Sequence, residues 1–315
     1  MDFLRPATFE DALAEKATRP DAVPIMGGTD LMVGFNRAQP APPALLDLTA
    51  IGGPFASWEL DKGSLRIGAG LPYTRIIDEL GGLCPALAAA ARTVGSPQIR
   101  NRGTVGGNLG TASPAGDTHP VLLATHAVVE VASTRGDRLI AIDDFYLGPK
   151  RNALEPDELI RAVRLPAATG PQEFTKVGTR NAMVIAVCSV AVALDVNTRT
   201  VGTGFGSAAP TPRRSVAAEA LAADLPWDGG ALDPNVARRF GEAVAAAAAP
   251  IDDVRGAAAY RRHALAVLAR RALSWTIAGL TGTVDSAGGS RYDPEVESTV
   301  KNSEFPGNPD RSVGS

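Results

Sequence analysis

Residues 95–120 read GSPQIRNRGTVGGNLGTASPAGDTHP, and the fold turns on how this stretch is interpreted. It holds six glycines, and its Thr, Ser, Asn and Asp side chains are short. It carries no apolar period of helix or strand, so it reads as a long loop that builds no core. Such a segment can bring backbone N–H groups and small hydroxyls close to a ligand, because glycine has no Cβ to hold the backbone away. A shorter stretch upstream, Pro24-Ile-Met-Gly-Gly-Thr-Asp30, has the same chemistry. Two glycine turns, each followed by Thr or Asn, look like two walls of one phosphate-bearing cofactor site.

The rest of the composition narrows the class. A chain of 315 residues has room for two domains, and 45% hydrophobic with 21% charged residues is ordinary for a soluble globular protein. A net charge of −3 argues against a nucleic-acid or anionic-membrane surface. No apolar run approaches a membrane span. The N-terminal MDFLRPATFEDALAEK has acidic residues and no hydrophobic segment of the signal-peptide kind. Cys84 and Cys188 lie far apart in apolar surroundings and read as buried free thiols of a reducing, cytoplasmic compartment. His119, His126 and His263 have no metal-ligand spacing, so no zinc, haem or iron–sulfur site is expected in this chain.

Local patterns place the elements. Thr8 followed by Asp11 reads as the N-cap of a first helix whose buried side begins at Leu13. Ala22 to Met26 is a short strand running into Gly27-Gly28, and Ala44 to Leu48 another. Ser64 to Ala69 alternates and reads as a half-buried strand. Thr74 caps a helix with Ile76, Ile77 and Leu80 on one face, and Pro85 opens an Ala-rich helix that ends at Gly95. Past the central stretch, Pro120 to Thr125 gives a helical turn or two. Val128 to Val131 and Leu139 to Ile142 form a hairpin, and Leu159 to Leu165 a strand. Pro166 to Pro171 is the best domain boundary. Strands are then expected at Glu173 to Val177, Val184 to Leu194 and Thr200 to Phe205, with helices at Arg213 to Ala223, Asn235 to Ala248 and Ala257 to Leu280. The last helix has Tyr260, Leu265, Leu268, Leu273 and Ile277 as core residues, with arginines opposite. From Ser286 onward the composition suits an extended or partner-binding tail.

Individual residues leave alternatives open. Asp117 could accept hydrogen bonds from sugar-like hydroxyls, or be a solvated loop residue or a helix N-cap before Pro120. Arg100 and Arg102 could neutralise phosphate or lie exposed in a loop. Lys176 and Arg180, two charges on an expected strand, mark either a solvent face or a contact to a ligand. Gly202-Thr-Gly-Phe-Gly206 approaches a Rossmann fingerprint but lacks the third glycine opening a helix, and reads as a strand end.

Taken in order, these pieces resemble the flavin-binding subunit of the molybdenum hydroxylases, the xanthine dehydrogenase family. The matching elements are FLRPATFEDAL, Gly27-Gly28-Thr29-Asp30, Val94-Gly-Ser-Pro-Gln-Ile-Arg-Asn101, Thr104-Val-Gly-Gly-Asn108, Ala112-Ser-Pro-Ala-Gly-Asp117, Phe174-Thr-Lys176, Arg180-Asn-Ala-Met-Val-Ile-Ala186 and Gly204-Phe-Gly-Ser-Ala-Ala-Pro210. The resemblance implies an α+β fold. A two-lobed FAD-binding domain of the vanillyl-alcohol-oxidase or p-cresol-methylhydroxylase type would span residues 1–168, followed by a smaller antiparallel-sheet-and-helix domain over 172–283 and a tail over 284–315. It implies that Ile25, Met26, Gly27, Gly28, Thr29 and Asp30 line the FAD pyrophosphate. Thr104, Gly106, Gly107, Asn108 and Thr111 would form the second wall. Asp117 would hold the ribityl or diphosphate region. Gly110 and Leu165 would lie near a ring, and Lys176 near the flavin edge.

The resemblance also implies a division of labour. A molybdenum cofactor in a large subunit would hydroxylate substrate, and two [2Fe–2S] clusters in a small subunit would feed electrons to FAD here. NAD⁺ or another acceptor would then take them, within a dimer of heterotrimers, and no catalytic acid or base is expected in this chain. Subunits of the carbon monoxide dehydrogenase type carry His after the first glycines and Asp at the end of the second motif. Thr29 and Asn108 here favour a complex that oxidises xanthine or another heterocycle. The 4-hydroxybenzoyl-CoA reductase type has an inserted cysteine-rich loop, which two isolated cysteines exclude. The rival readings are a free-standing flavoprotein of the same fold, for which no substrate-facing acid stands out, and a scaffold that has lost its flavin, against which the intact glycine pairs argue.

Overall fold

The computed structural model describes residues 1–37 and 39–280; the tail expected beyond 283 lies outside them. The chain begins with a small parallel sheet. β1 (Asp2–Leu4) leads to α1 (Phe9–Thr18), β2 (Ala22–Ile25), α2 (Leu31–Asn36) and β3 (Ala44–Asp47), and the strands order as β1-β3-β2. Thr8 Oγ1 accepts from the Asp11 N–H, the cap read from the sequence. Phe9, Ala12 and Leu13 turn the helix onto the core.

The next block is antiparallel. β4 (Trp58–Asp61) and β5 (Ser64–Gly68) form a hairpin, and α3 (Tyr73–Glu79) and α4 (Pro85–Thr93) follow. Thr74 sits inside α3 rather than at its cap, which is Pro72, and its hydroxyl reaches Asn101 Oδ1 at 2.5 Å. The stretch 95–120 is not a loop. It contains α5 (Pro97–Arg100), α6 (Val105–Thr111) and the start of α7 (His119–Ala124). α6 forms despite three glycines because Thr104 Oγ1 caps it through the Gly107 N–H, and Val105 and Leu109, four residues apart, are both buried. β6 (Val128–Ser133), β7 (Gly136–Ala141), α8 (Ile142–Phe145), the short hairpin β8 (Tyr146–Gly148) with β9 (Arg151–Asn152), and β10 (Leu159–Pro166) complete the block, with sheet order β4-β5-β10-β6-β7. β5 is buried, not half-buried: Arg66 points inward and meets Glu130 at 2.8 Å. Paired in this way, a charge tolerates burial.

Three antiparallel strands follow: β11 (Gln172–Val177), β12 (Cys188–Asp195) and β13 (Thr200–Gly206). Val184 to Val187, expected as strand, lies outside β12. α9 (Val216–Glu219) continues into a 3₁₀ turn, α11 (Ala258–Leu280) packs on β11 and β12, and α10 (Pro234–Ala246) packs on α11 and α9. β12 is buried on both faces. Cys188, Val190, Val192 and Leu194 join the core under α10 and α11, whereas Ala191 and Ala193 belong to the larger core built from the preceding elements. Period two thus serves two cores from one strand. On α11, Leu265, Leu273 and Ile277 are core as expected, but Tyr260 is 49% exposed. Arg261, expected on the solvent side, is buried and hydrogen-bonded to the Val187 and Ser207 carbonyls and to Asp253.

Gly202-Thr-Gly-Phe-Gly206 is strand, and its glycines have a packing reason. A Cβ at Gly202 would stand 1.9 Å from the Ala124 carbonyl oxygen, and one at Gly204 1.9 Å from that of Pro120. Only bare backbone lets α7 cross β13 this closely.

Candidate cofactor site

The two glycine turns meet. A Cβ on Gly27 would lie 2.1 Å from the Arg102 carbonyl oxygen, so the first turn rests directly on the backbone entering α6. Gly106 packs as closely on Ala69 at the end of β5, where its N–H bonds the Ala69 carbonyl at 3.1 Å. Gly28 takes φ +70°, open to glycine at little strain. Gly107 and Gly110 differ. A Cβ on Gly107 would meet only Thr104 Oγ1, at 3.2 Å, and one on Gly110 would meet nothing within 4 Å.

Both turns open on a cleft of about 970 Å³. Met26, Asp30, Thr104, Gly106, Gly107, Gly110 and Thr111 line it. Of the other expected site residues, Ile25, Gly27, Gly28 and Thr29 are not among those lining the cleft, and Ile25 packs against Gly28 behind the first turn. Asn108 turns away, its Oδ1 accepting from Thr118 at 2.6 Å. Leu165 lies in the sheet core opposite Leu65; the same strand reaches the cleft through Leu159 and Ile160.

Asp117 and Lys176 are joined 2.7 Å apart, with side chains 9% and 11% exposed. Asp117 is neither solvated nor a cap. Its Oδ2 accepts from Lys176 and Thr93, and its Oδ1 has no partner among the described residues. Burial pushes its carboxyl above the ordinary Asp range, and Lys176 pulls back against that. His119, beside it, is buried against Tyr146, and desolvation lowers its imidazole to about 4, so it is neutral at pH 7. Arg100 bonds the Val94 and Gly95 carbonyls, and Arg102 is exposed.

The sequence reading missed much of the lining. Phe55, Lys150, Leu159, Ile160, Ile185 and Arg255 all border the cleft. Lys150 is held at φ +56° in the β8–β9 turn, whose backbone is fastened to α6 by Lys150 N–H to the Ala112 carbonyl and Asn152 Nδ2 to the Gly110 carbonyl. A lysine in this region is uncommon, and that was the available signal only once φ was known. Among the described residues, Glu158 pairs with Arg138, and Asp253 with Arg255 and Arg261, whereas Arg37 and Lys150 have no ion pair.

Comparison with known proteins places this arrangement. Residues 1–168 match the FAD binding domain in molybdopterin dehydrogenase, and residues 173–276 the CO dehydrogenase flavoprotein C-terminal domain. The chain belongs to the family of FAD-binding subunits of the molybdopterin dehydrogenases, and is a FAD-dependent oxidoreductase subunit. It is 31% identical over 290 residues to the xanthine dehydrogenase FAD-binding subunit of Escherichia coli O157:H7, covering 88% of this chain and 96% of that one. It is 32% identical over 276 residues to the nicotine 6-hydroxylase medium subunit of Paenarthrobacter nicotinovorans, covering 86% and 95%. Among solved structures, a chain of the reconstituted CO dehydrogenase from Oligotropha carboxidovorans superposes with a TM-score of 0.81 at 28% identity, covering 89% of this chain and 98% of that one.

The residues present fit FAD. Backbone without Cβ at Gly107 and Gly110, both on the cleft, supplies a close approach. Arg37 and Lys150 supply positive charge without a competing carboxylate.

Proposed function

We propose that the 970 Å³ cleft holds FAD with its pyrophosphate against the two glycine turns, and that this chain relays electrons within a molybdenum hydroxylase that oxidises xanthine or a related heterocycle. The observation that supports the reading is the back-to-back packing of Gly27 on Arg102, with Met26 and Asp30 flanking the first turn on the same cleft as Gly106 and Gly107. Met26, Asp30, Thr104, Gly106, Gly107 and Thr111 surround the phosphate end, Arg37 and Lys150 supply its counter-charge, and Asp117 Oδ1 accepts from a hydroxyl. Leu159, Ile160 and Ile185 give apolar contact to the flat rings. Bound FAD supplies two-electron chemistry and the ability to exchange single electrons with a metal cluster. The chain's own part is to orient it and exclude water.

Thr29 and Asn108 favour a heterocycle over carbon monoxide. The substrate then meets a molybdenum cofactor in a large partner subunit, and two [2Fe–2S] clusters in a small one supply the electrons. NAD⁺ or another acceptor takes them. The two-lobed FAD domain is of the vanillyl-alcohol-oxidase or p-cresol-methylhydroxylase type, the complex a dimer of heterotrimers, and its setting cytoplasmic purine catabolism. Among the described residues no helix is long and apolar enough to cross a membrane.

Two experiments test this. Gly107→Leu is expected to abolish flavin retention; unchanged flavin content overturns the site. The visible spectrum of the protein from its native host, with co-purifying chains identified, is expected to show flavin and iron–sulfur bands and two further subunits. A lone yellow chain points to a free-standing flavoprotein or to a subunit that dissociates from its complex.

A further inference from the structure

We infer that Arg261 is a positioning residue, and that this one buried guanidinium sets the wall which the C-terminal sheet and α11 present to the cleft. Arg261 stands in the first turn of α11, and its side chain is 3% exposed. A cation there opposes the helix dipole, and burial adds a desolvation cost. What offsets both is the set of groups it joins. An arginine fork holds five N–H donors in one plane, and here it meets three segments. Nη1 donates to the Val187 carbonyl at 3.1 Å and to the Ser207 carbonyl. Nη2 donates to Asp253 Oδ1 at 2.5 Å. These partners lie in the loop between β11 and β12, just past the end of β13, and in the turn before α11.

Each of the three segments contributes to the cleft. Ile185, two positions before Val187, lines it and is 53% exposed. Ser207 lines it directly, at φ +60°. Ile251 and Arg255 line it on either side of Asp253, whose Oδ2 pairs with Arg255 at 3.3 Å. The segments also touch: a Cβ on Gly256 would stand 3.2 Å from Val187 Cγ1. The Ser207 N–H bonds the Pro114 carbonyl at 2.8 Å, so the join extends to the residues that line the cleft after α6. The β11–β12 loop has further ties, from the Val187 N–H to the Val177 carbonyl and from Lys176 to the Val184 carbonyl. Those fasten the loop itself; the Arg261 fork adds β13 and the Asp253 turn.

The inference rests on FAD occupying the cleft, and the test separates the two. Asp253 keeps Arg255 when Arg261 is removed, so Arg261→Met strands no carboxylate. The full-length Arg261→Met chain is compared with Leu273→Ala, which opens the core under the same helix at a residue that does not line the cleft. Arg261→Met is expected to raise the FAD dissociation constant about tenfold, the loss of one hydrogen bond to a charged group, and to speed tryptic cleavage after Arg180. Leu273→Ala is expected to lower the melting temperature and leave FAD affinity unchanged. An equal loss of affinity in both chains overturns the inference and makes Arg261 a brace of the core alone. In an Ile185→Ala/Arg255→Ala background, most of the effect of Arg261→Met on FAD affinity is expected to disappear. A full, additive loss there overturns positioning and makes Arg261 a direct ligand contact. If Arg261→Met does not fold, Arg261→Lys, which keeps the charge without the planar fork, carries the same comparisons with an expected rise of about threefold. If Gly107→Leu leaves FAD binding intact, the cleft reading fails instead. Faster cleavage after Arg180 in Arg261→Met then still upholds the tie, and unchanged cleavage overturns it.

Discussion

Replacing Gly110 by alanine is expected to stabilise the apoprotein and weaken FAD binding at once. Gly110 lies in α6 with no neighbour within 4 Å of an added Cβ. Glycine inside a helix is about 1 kcal/mol less favourable than alanine, so a gain of about 0.5–1 kcal/mol is expected near the end of this short helix. In a chain of this size that raises the melting temperature by about 1–3 °C. The same methyl projects into the cleft that Gly110 lines. If ligand fills that space, overpacking of about 1–3 kcal/mol follows, a loss of about 5- to 150-fold in affinity. Gly27→Ala gives the opposite apoprotein result. Its Cβ would stand 2.1 Å from the Arg102 carbonyl oxygen, so the turns must part, and stability falls by about 1–3 kcal/mol before any ligand is added. The assay is a pair of thermal melts, with and without FAD, alongside a titration followed by flavin fluorescence. A Gly110→Ala chain that binds FAD as tightly as the parent refutes the placement of this wall; a lower apoprotein melting temperature refutes the open space above Gly110.

Other perturbations follow from buried polar groups and close backbone contacts. Glu130 is held by Arg66 and Arg164, which outweigh its burial and keep its carboxyl below the ordinary range. Glu130→Gln is expected to lose about 1–3 kcal/mol in urea unfolding at pH 7, because Arg66 and Arg164 lose their shared carboxylate while Glu59 stays near Arg66 and Arg164 is half exposed. The parent's Glu130 contribution is present above the unfolded pKa and lost as pH falls through the lower folded one, so the variant lacks that part of the acid slope. For His119 the folded value of about 4 lies below the unfolded one. The unfolded chain then takes up the proton first, and about 3 kcal/mol is lost as pH falls from about 6.5 to about 4. A His119→Gln chain should show a flatter stability–pH profile over that window. Gly204→Val is expected to prevent stable packing of α7 on β13, since its Cβ would meet the Pro120 carbonyl oxygen at 1.9 Å; a native far-UV and near-UV spectrum would contradict this.

What was legible in the sequence was local. The Thr8 cap and the strand running into Gly27 depend on residues a few positions apart, and both were read correctly. The α6 helix was hidden by its own glycines, although Thr104 three residues before Gly107, with Val105 and Leu109 on one face, was signal enough. What could not be read depends on distant partners. Arg66 looked like the polar side of a half-buried strand because Glu130 is 64 positions away, and Lys176 looked like a surface or ligand-facing charge because Asp117 is 59 positions away. The cleft itself draws on segments from Val23 to Arg261, and no local pattern assembles that.

Glycine density alone would have marked Gly202 to Gly206 as readily as Gly103 to Gly110. What separates them is the object an added Cβ would meet. At Gly202 and Gly204 it is the backbone of α7, and at Gly27 and Gly106 the backbone of a neighbouring turn or strand end, so those four glycines are needed by the fold. At Gly110 it is open space, and at Gly107 only the hydroxyl that caps its own helix. Packing leaves room for a side chain at Gly110, and at Gly107 a Cβ would crowd the capping hydroxyl but no backbone; helix propensity disfavours glycine at both. Both positions line the same cleft. The case for a ligand seated on α6 is therefore strongest at the glycines with the fewest neighbours.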